Sequence, residues 1–245
     1  MSDVVFIAHR GASGRGHSPE NTLPAFKKAI SMGVDCVECD VHCTKDSQVV
    51  AIHDATLNRT TNMKGAVVDM TLEEIKKADA GAWFSNVFSG VCIPTLSELL
   101  EITKGKVINV IEIKPENIAE KVVQEVEKAG AVEEVILQSF YPKVVKDVQK
   151  FNPKLPRALL IGGQLPVSRI SSIMSLIQQA LEVGATTLNV SSRIVTQNLI
   201  KEVHKRAMSI WAWTVDDETE IKGLIDMGID GITSNYPEKL LTFRT

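Results

Sequence analysis

Short β-branched runs alternate with amphipathic segments along the whole chain, and this alternation restricts the fold more than any other feature. The strand-like runs are VVFIAHR (4–10), CVECDVH (36–42), VVAIHD (49–54), VINVIEIK (107–114), VILQSF (135–140), RALLIG (157–162), TTLNV (186–190), SIWAWTV (209–215) and GITSN (231–235). Between them lie stretches of helical spacing. The first, Thr22 to Met32, places Leu23, Phe26, Ala29 and Ile30 on one face and stops at Gly33. Others run from Ile118 to Ala129, Ser172 to Val183, Gln197 to Arg206 and Glu218 to Met227. Strands that alternate with helices pair in parallel through crossovers. About eight such units in 245 residues, without a Pro-rich or Ser-rich linker, predict an α/β fold, a single (β/α)8 TIM barrel over residues 1–245. Neither GxGxxG nor GxxxxGK[ST] occurs to argue for an open nucleotide-binding sheet.

Lysine and arginine number 27 against 30 acidic residues, a net charge of −3, so the chain lacks the basic footprint of a nucleic-acid or anionic-membrane binder. The opening MSDVVFIAHRG has only a short apolar run and no basic lead, unlike a signal peptide or a membrane span. The expectation is a soluble cytoplasmic protein with no integral membrane association and no nucleic-acid partner.

The stretch CVECDVH carries the most specific chemistry. In an extended strand Glu38 and Asp40 share one face with Cys36 and His42, while Val37, Cys39 and Val41 share the other. Burying two adjacent carboxylates costs several kcal/mol unless a cation lies between them, and oxygen ligands suit a hard ion such as Mg or Ca. An isolated ExD fits better on an edge strand whose acidic face looks at water. Its company argues otherwise: His9, Arg10, Glu38, Asp40, His53, Glu112, Lys114, Gln138 and Trp213 all fall at or near the C-terminal ends of predicted strands, where barrel enzymes keep their active sites. Cys36, Cys39 and Cys43 lie close in sequence, but alternation puts Cys36 and Cys39 on opposite faces, so they read as small buried hydrophobes rather than zinc ligands.

From Ala55 to Pro94 the alternation breaks, leaving an insertion with a short helix around Leu72 to Ala78 and then AWFSNVFSG. A connection this long within a barrel is usually functional. Trp83, Phe84 and Phe88 are candidates for a lid or a substrate wall, or for packing the insertion onto the barrel.

HRGASGRGHSPENT, then VECDVHCTKDSQVVAIHDATLNRTT, VIEIKP, WAWTVDD and GITSNYP together resemble the glycerophosphodiester phosphodiesterase family over nearly the whole chain. That resemblance implies a barrel with a small insertion after the HD element. It implies a divalent metal ion on Glu38, Asp40 and Glu112, catalytic histidines at His9 and His53, and phosphate contacts from Arg10 and Lys114. The chain departs from the family pattern in a longer loop between Gly11 and Pro19, which adds Arg15 and His17. It departs again at Asp216, where Asn is usual after WTV, and at SNYP (234–237), where TDYP is usual.

The constellation suits phosphodiester cleavage, which requires charge neutralisation, a nucleophile and protonation of a leaving alkoxide. The cation, Arg10 and Lys114 meet the first need; two histidines with ordinary pKa near 6.5 can act as base and acid. A small glycerophosphodiester would yield glycerol 3-phosphate and an alcohol, attacked either by water or by its own glycerol 2-hydroxyl. A phospholipase of lysophospholipase D or phosphoinositide type, or a barrel that binds phosphate without turnover, are the alternatives. Trp213 is a substrate contact or barrel core. His17 and His42 read as surface or hydrogen-bonding residues, and Glu20 and Asn21 as caps of the first helix or braces of the site.

Overall fold

The computed structural model describes residues 4–163 and 169–244; the N-terminal reading at residues 1–3 lies outside them. Eight parallel strands close into a barrel: β1 (Val5–Ala8), β2 (Cys36–Cys43), β4 (Ile108–Ile113), β5 (Val135–Ser139), β6 (Arg157–Ile161), β7 (Thr187–Ser191), β8 (Ser209–Trp213) and β9 (Gly231–Ser234), with β1 bonded to both β2 and β9. The ninth predicted strand differs. Its observed part, β3 (Val49–Ala51), pairs antiparallel with β2 through Val41↔Ala51 and stands outside the closed ring. An apolar run of that length carries no mark of its direction, so sequence spacing could not separate it from a barrel strand.

Helices α1 (Leu23–Met32), α3 (Leu96–Thr103), α4 (Ala119–Lys128), α5 (Pro142–Phe151), α6 (Ile170–Glu182), α7 (Gln197–His204), α8 (Glu218–Met227) and α9 (Pro237–Leu241) follow the barrel strands, and the short α2 (Leu72–Ile75) belongs to the insertion. In α1, Pro24 sits in the first turn, where its missing N–H costs nothing, and Gly33 ends the helix in the left-handed conformation at φ 85°. Phe26 of α1, Leu96 and Leu99 of α3 and Val122 of α4 are fully buried against Val37, Cys39 and Val41. The outward face of β2 is therefore covered by helices, as the period-two pattern requires.

The inward face differs in character along its length. At the bottom Cys36 packs with Ile7, Val110 and Trp211. Trp211 fits because its register partner is Gly231, where a Cβ would lie 2.6 Å from the indole ring. One step up the strand the interior turns polar at Glu38, and another step brings Asp40 opposite Glu112. Cys36 and Cys39 thus occupy the two sides of β2, both buried and free, as their spacing indicated.

The insertion has its own small core. Leu57, Val67, Ile75, Ala78, Ala80 and Ile93 pack on Val50 and Ile52, which they bury. Trp83, Phe84 and Phe88 stack edge to face at 5.7 and 5.9 Å, and the Trp83 indole N–H donates to the Ala80 carbonyl at 2.9 Å. They contact one another, and Trp83 remains 42% exposed.

Candidate active site

Every polar side chain singled out at the strand ends converges on one mouth. His9, Arg10, Glu38, His53, Glu112, Lys114, Gln138 and Trp213 line a cavity of about 170 Å³, together with Phe140, Leu160 and Asn189. Asp40, 1% exposed, does not line it but contacts Arg10 and Lys114, which do. One oxygen each from Glu38, Asp40 and Glu112 lies within 4.8 Å of the others, close enough to hold a metal ion. This is the buried alternative, not the solvent-facing edge strand.

The electrostatics fit such an ion. Burial, then Asp40 and Glu112, push the Glu38 carboxyl well above its ordinary range. Burial and Asp40 raise Glu112 to about 7 despite Lys114 beside it. Burial raises Asp40 as well, but Arg10 and Lys114 outweigh it and hold this carboxyl below its usual value. Three carboxylates with two cations leave an excess of negative charge in a low-dielectric pocket. Asp40 Oδ1 is buried without a hydrogen-bond partner, and the Lys114 ammonium lies 3.3 Å from it. A hard divalent cation would supply what is missing.

Local backbone geometry builds the same spot. Arg10 follows β1 with φ 54° and Gly11 with φ 78°, and this left-handed turn aims the Arg10 backbone N–H at Glu38 Oε2, 2.9 Å away. Left-handed backbone costs a side-chain-bearing residue about 1–2 kcal/mol, so the surrounding structure holds it in place. A Cβ on Gly11 would strike the Ala25 backbone at 2.6 Å. Asn21, also left-handed, grips Asp40 from both sides: its Nδ2 donates to Asp40 Oδ2 at 2.8 Å, and its Oδ1 accepts from the Asp40 N–H at 3.1 Å. Asn21 and Glu20 are therefore braces rather than helix caps. Thr22 occupies the cap position, with no side-chain cap bond.

The two cations already face carboxylates. Arg10 Nε lies 3.2 Å from Asp40 and its Nη1 2.8 Å from Glu20, while Lys114 Nζ lies 2.8 Å from Glu112 and 3.3 Å from Asp40. The two histidines have different partners. His53 Nδ1 meets Asp54 Oδ1 at 2.7 Å; His9 Nδ1 meets the amide oxygen of Asn235 at 2.7 Å. Burial, then Arg10, pushes His9 down to about 4, which corrects the expectation of two imidazoles near their ordinary value. His53 reaches the mouth on the β3 hairpin rather than on a barrel strand, tied by the Ile52 N–H to the Asp40 carbonyl at 3.0 Å.

Arg59, from the insertion, was not anticipated. It forks across Asp54 and Glu20 with four bonds of 2.8–2.9 Å, linking the partner of His53 to the partner of Arg10. The NRTTNMKG stretch contains no spacing signal for this role. Trp213 lines the cavity with its indole N–H bonded to the Asn189 carbonyl at 3.1 Å and its ring edge-on to Phe140 at 5.4 Å. His42 bonds the His53 carbonyl at 3.1 Å, and His17 bonds Glu238 at 3.0 Å, so neither belongs to the central cluster.

A second groove, about 980 Å³, adjoins the cavity and shares His53 and Lys114 with it. Ala55, Ala66, Val68, Pro115, Ile118 and Tyr141 give it an apolar wall. The aromatic trio of the insertion lines neither space.

A model of the glycerophosphoryl diester phosphodiesterase family matches residues 9–239. The chain belongs to that family. A glycerophosphodiester phosphodiesterase of Caldanaerobacter subterraneus subsp. tengcongensis is 38% identical over 245 residues, covering 97% of this chain and 96% of its own. Among solved structures, the glycerophosphodiester phosphodiesterase of Agrobacterium tumefaciens aligns with a TM-score of 0.84 at 27% identity over 98% of this chain and 99% of its own. An Oleispira antarctica phosphodiesterase, solved with its product sn-glycerol-3-phosphate, aligns at 0.86 with 24% identity over 98% of this chain and 96% of its own, a likeness of fold. The family activity is hydrolysis of glycerophosphodiesters, and the chain is a phosphoric diester hydrolase of this kind. Among the described residues no helix is long and apolar enough to cross a membrane.

Proposed function

We propose that the chain cleaves small glycerophosphodiesters to sn-glycerol 3-phosphate and an alcohol in a divalent-metal-dependent reaction, with the ion, Mg or Ca, held by Glu38, Asp40 and Glu112. One observation carries this reading: Glu38, Glu112, Arg10, Lys114 and two imidazoles line a single cavity, and the buried Asp40 completes with Glu38 and Glu112 a carboxylate group that can hold one ion. When bound, the ion supplies positive charge against the phosphate and lowers the pKa of a coordinated hydroxyl. Arg10 and Lys114 bind the phosphate oxygens, and Trp213 and Phe140 form the wall against which the substrate rests.

The partners of the two imidazoles divide their labour. Asp54 is a carboxylate and compensates the charge of a doubly protonated ring, so His53 is the general acid that protonates the leaving alkoxide. His9 meets a neutral amide oxygen, stays unprotonated, and takes the proton of the attacking hydroxyl. The attacker is the glycerol 2-hydroxyl, which displaces the alcohol to leave a cyclic 1,2-phosphate that water then opens to glycerol 3-phosphate. Internal attack avoids the entropy cost of recruiting water. The deciding experiment follows glycerol 3-phosphate release from a head-group panel and from a 2-deoxyglycerol analogue. Turnover of the natural diesters with a large loss for the analogue supports internal attack; equal rates make water the nucleophile.

The apolar groove favours a second reading on the alcohol side. A bulky apolar alcohol, as in a lipid phosphodiester, fits beside Val68, Ile118 and Tyr141, where a small polar head group leaves most of the wall uncovered.

A further inference from the structure

Two of the positions at which the chain departs from the family pattern, Asp216 and Asn235, meet in space behind His9. Asp216 lies just beyond β8 and Asn235 just beyond β9. Asp216 Oδ1 accepts from the Ser234 hydroxyl at 2.8 Å and from the Asn235 backbone N–H at 2.9 Å. Its Oδ2 accepts from Asn235 Nδ2 at 2.7 Å.

A carboxylate only accepts, so the Asn235 amide must turn its NH2 toward Asp216 and its oxygen the other way. That oxygen receives the Ser13 hydroxyl at 3.2 Å and faces His9 Nδ1 at 2.7 Å. An amide oxygen also only accepts, which leaves His9 Nδ1 as the donor. Were the amide reversed, Nδ1 would have to accept and the ring proton would sit on Nε2.

We infer that Asn235, oriented by Asp216, is a positioning residue that fixes the tautomer of His9, holding the proton on Nδ1 and leaving Nε2 free to accept one. The inference rests on the reading of His9 as the general base. It makes Asp216 and Asn235 a matched pair: the carboxylate and the amide exchange roles only if both positions change. With Asn235→Asp alone, two carboxylates face each other where Nδ2 now donates. With Asp216→Asn/Asn235→Asp, the amide introduced at position 216 donates to the carboxylate introduced at position 235, and that carboxylate accepts from His9 Nδ1 and Ser13. The relay to His9 is restored, with the same tautomer.

The test has two arms. In the wild-type enzyme labelled with 15N-histidine, the His9 signals at neutral pH are expected to place the proton on Nδ1; a proton on Nε2 overturns the inference without any variant. In kinetics, Asn235→Asp is expected to lower kcat about 10- to 100-fold with KM changed less than about threefold, the scale of a displaced catalytic group. Asp216→Asn/Asn235→Asp is expected to recover to within about threefold of wild type, a rescue that a merely structural contact would not show. Asn235→Asp at wild-type kcat, or a double variant as poor as the single, overturns it. His9→Gln is measured alongside. If His9→Gln is inactive and Asn235→Asp is unaffected, the relay alone falls; if His9→Gln turns over like wild type, the reading of His9 as base falls first.

Discussion

Asp40 and Glu112 stand directly opposite in the register of β2 and β4, so two acidic side chains project side by side into the barrel mouth, one strand spacing apart. Glu38 lies one step below on the same face. Nothing in a protein interior favours three such neighbours by themselves, and their preferred protonation differs accordingly.

Stability without the ion follows from this crowding. Glu112 moves from an ordinary 4.5 to about 7 in the folded metal-free protein. Between those values the native state keeps a proton that the unfolded chain has lost, so metal-free stability falls as pH rises through this window, and Glu38 acts in the same direction. A divalent ion favours the ionised carboxylates. Thermal melting is expected to show a larger rise on adding Mg or Ca at about pH 8 than at about pH 5. At about 100 times its Kd the ion contributes roughly 2.7 kcal/mol, several degrees in a chain of this size. Asp40→Asn should abolish the rise, and an unchanged rise would place the ion elsewhere.

His9→Ala and His53→Ala are each expected to lower kcat by roughly two to four orders of magnitude, the scale of a general acid or base. Because both act in one displacement, the double variant should be little worse than the poorer single one. Multiplying losses in steady-state assays would show that the two act independently.

Arg59→Ala is expected to lower kcat about tenfold, although its side chain touches neither the cavity nor the candidate ion. Loss of the fork frees Asp54 and Glu20 together, and with them the settings of His53 and Arg10. Arg59→Lys should not restore the rate, since an ammonium cannot span two carboxylates in the same plane. Full activity in either variant, measured at saturating substrate, would make the fork incidental.

Much of this was legible beforehand, for particular reasons. The ExD of β2 follows from strand alternation alone, and the mouth residues follow from their place at strand ends. The direction of β3 was not legible, nor was Arg59. The first depends on hydrogen-bond partners that an apolar run does not specify, the second on a fold-back of the insertion that carries no periodic signal. Asp216 and Asn235 were each visible as departures, but their contact 19 residues apart requires the register of β8 and β9. The insertion was legible as a break in pattern and as a candidate lid or substrate wall, while the placement of Ala55, Ala66 and Val68, rather than its aromatic trio, along the apolar groove was not.

Replacing residues 55–94 by a short loop tests that placement. Val50 and Ile52 would lose their cover at about 1.5–3 kcal/mol each, a loss the closed barrel is expected to survive. With Arg59 gone, activity should fall rather than simply shift in substrate range. Circular dichroism of the replaced chain checks the fold, and loss of the helical signal would show that the barrel depends on the insertion.

The most direct test of the central claim is the rate of sn-glycerol 3-phosphate formation from a glycerophosphodiester as free Mg or Ca is raised from full chelation. The carboxylate cluster predicts negligible rate without the ion, a saturable rise with it, and no rise in Asp40→Asn. A rate in excess chelator equal to that of the metal-replete enzyme would contradict it.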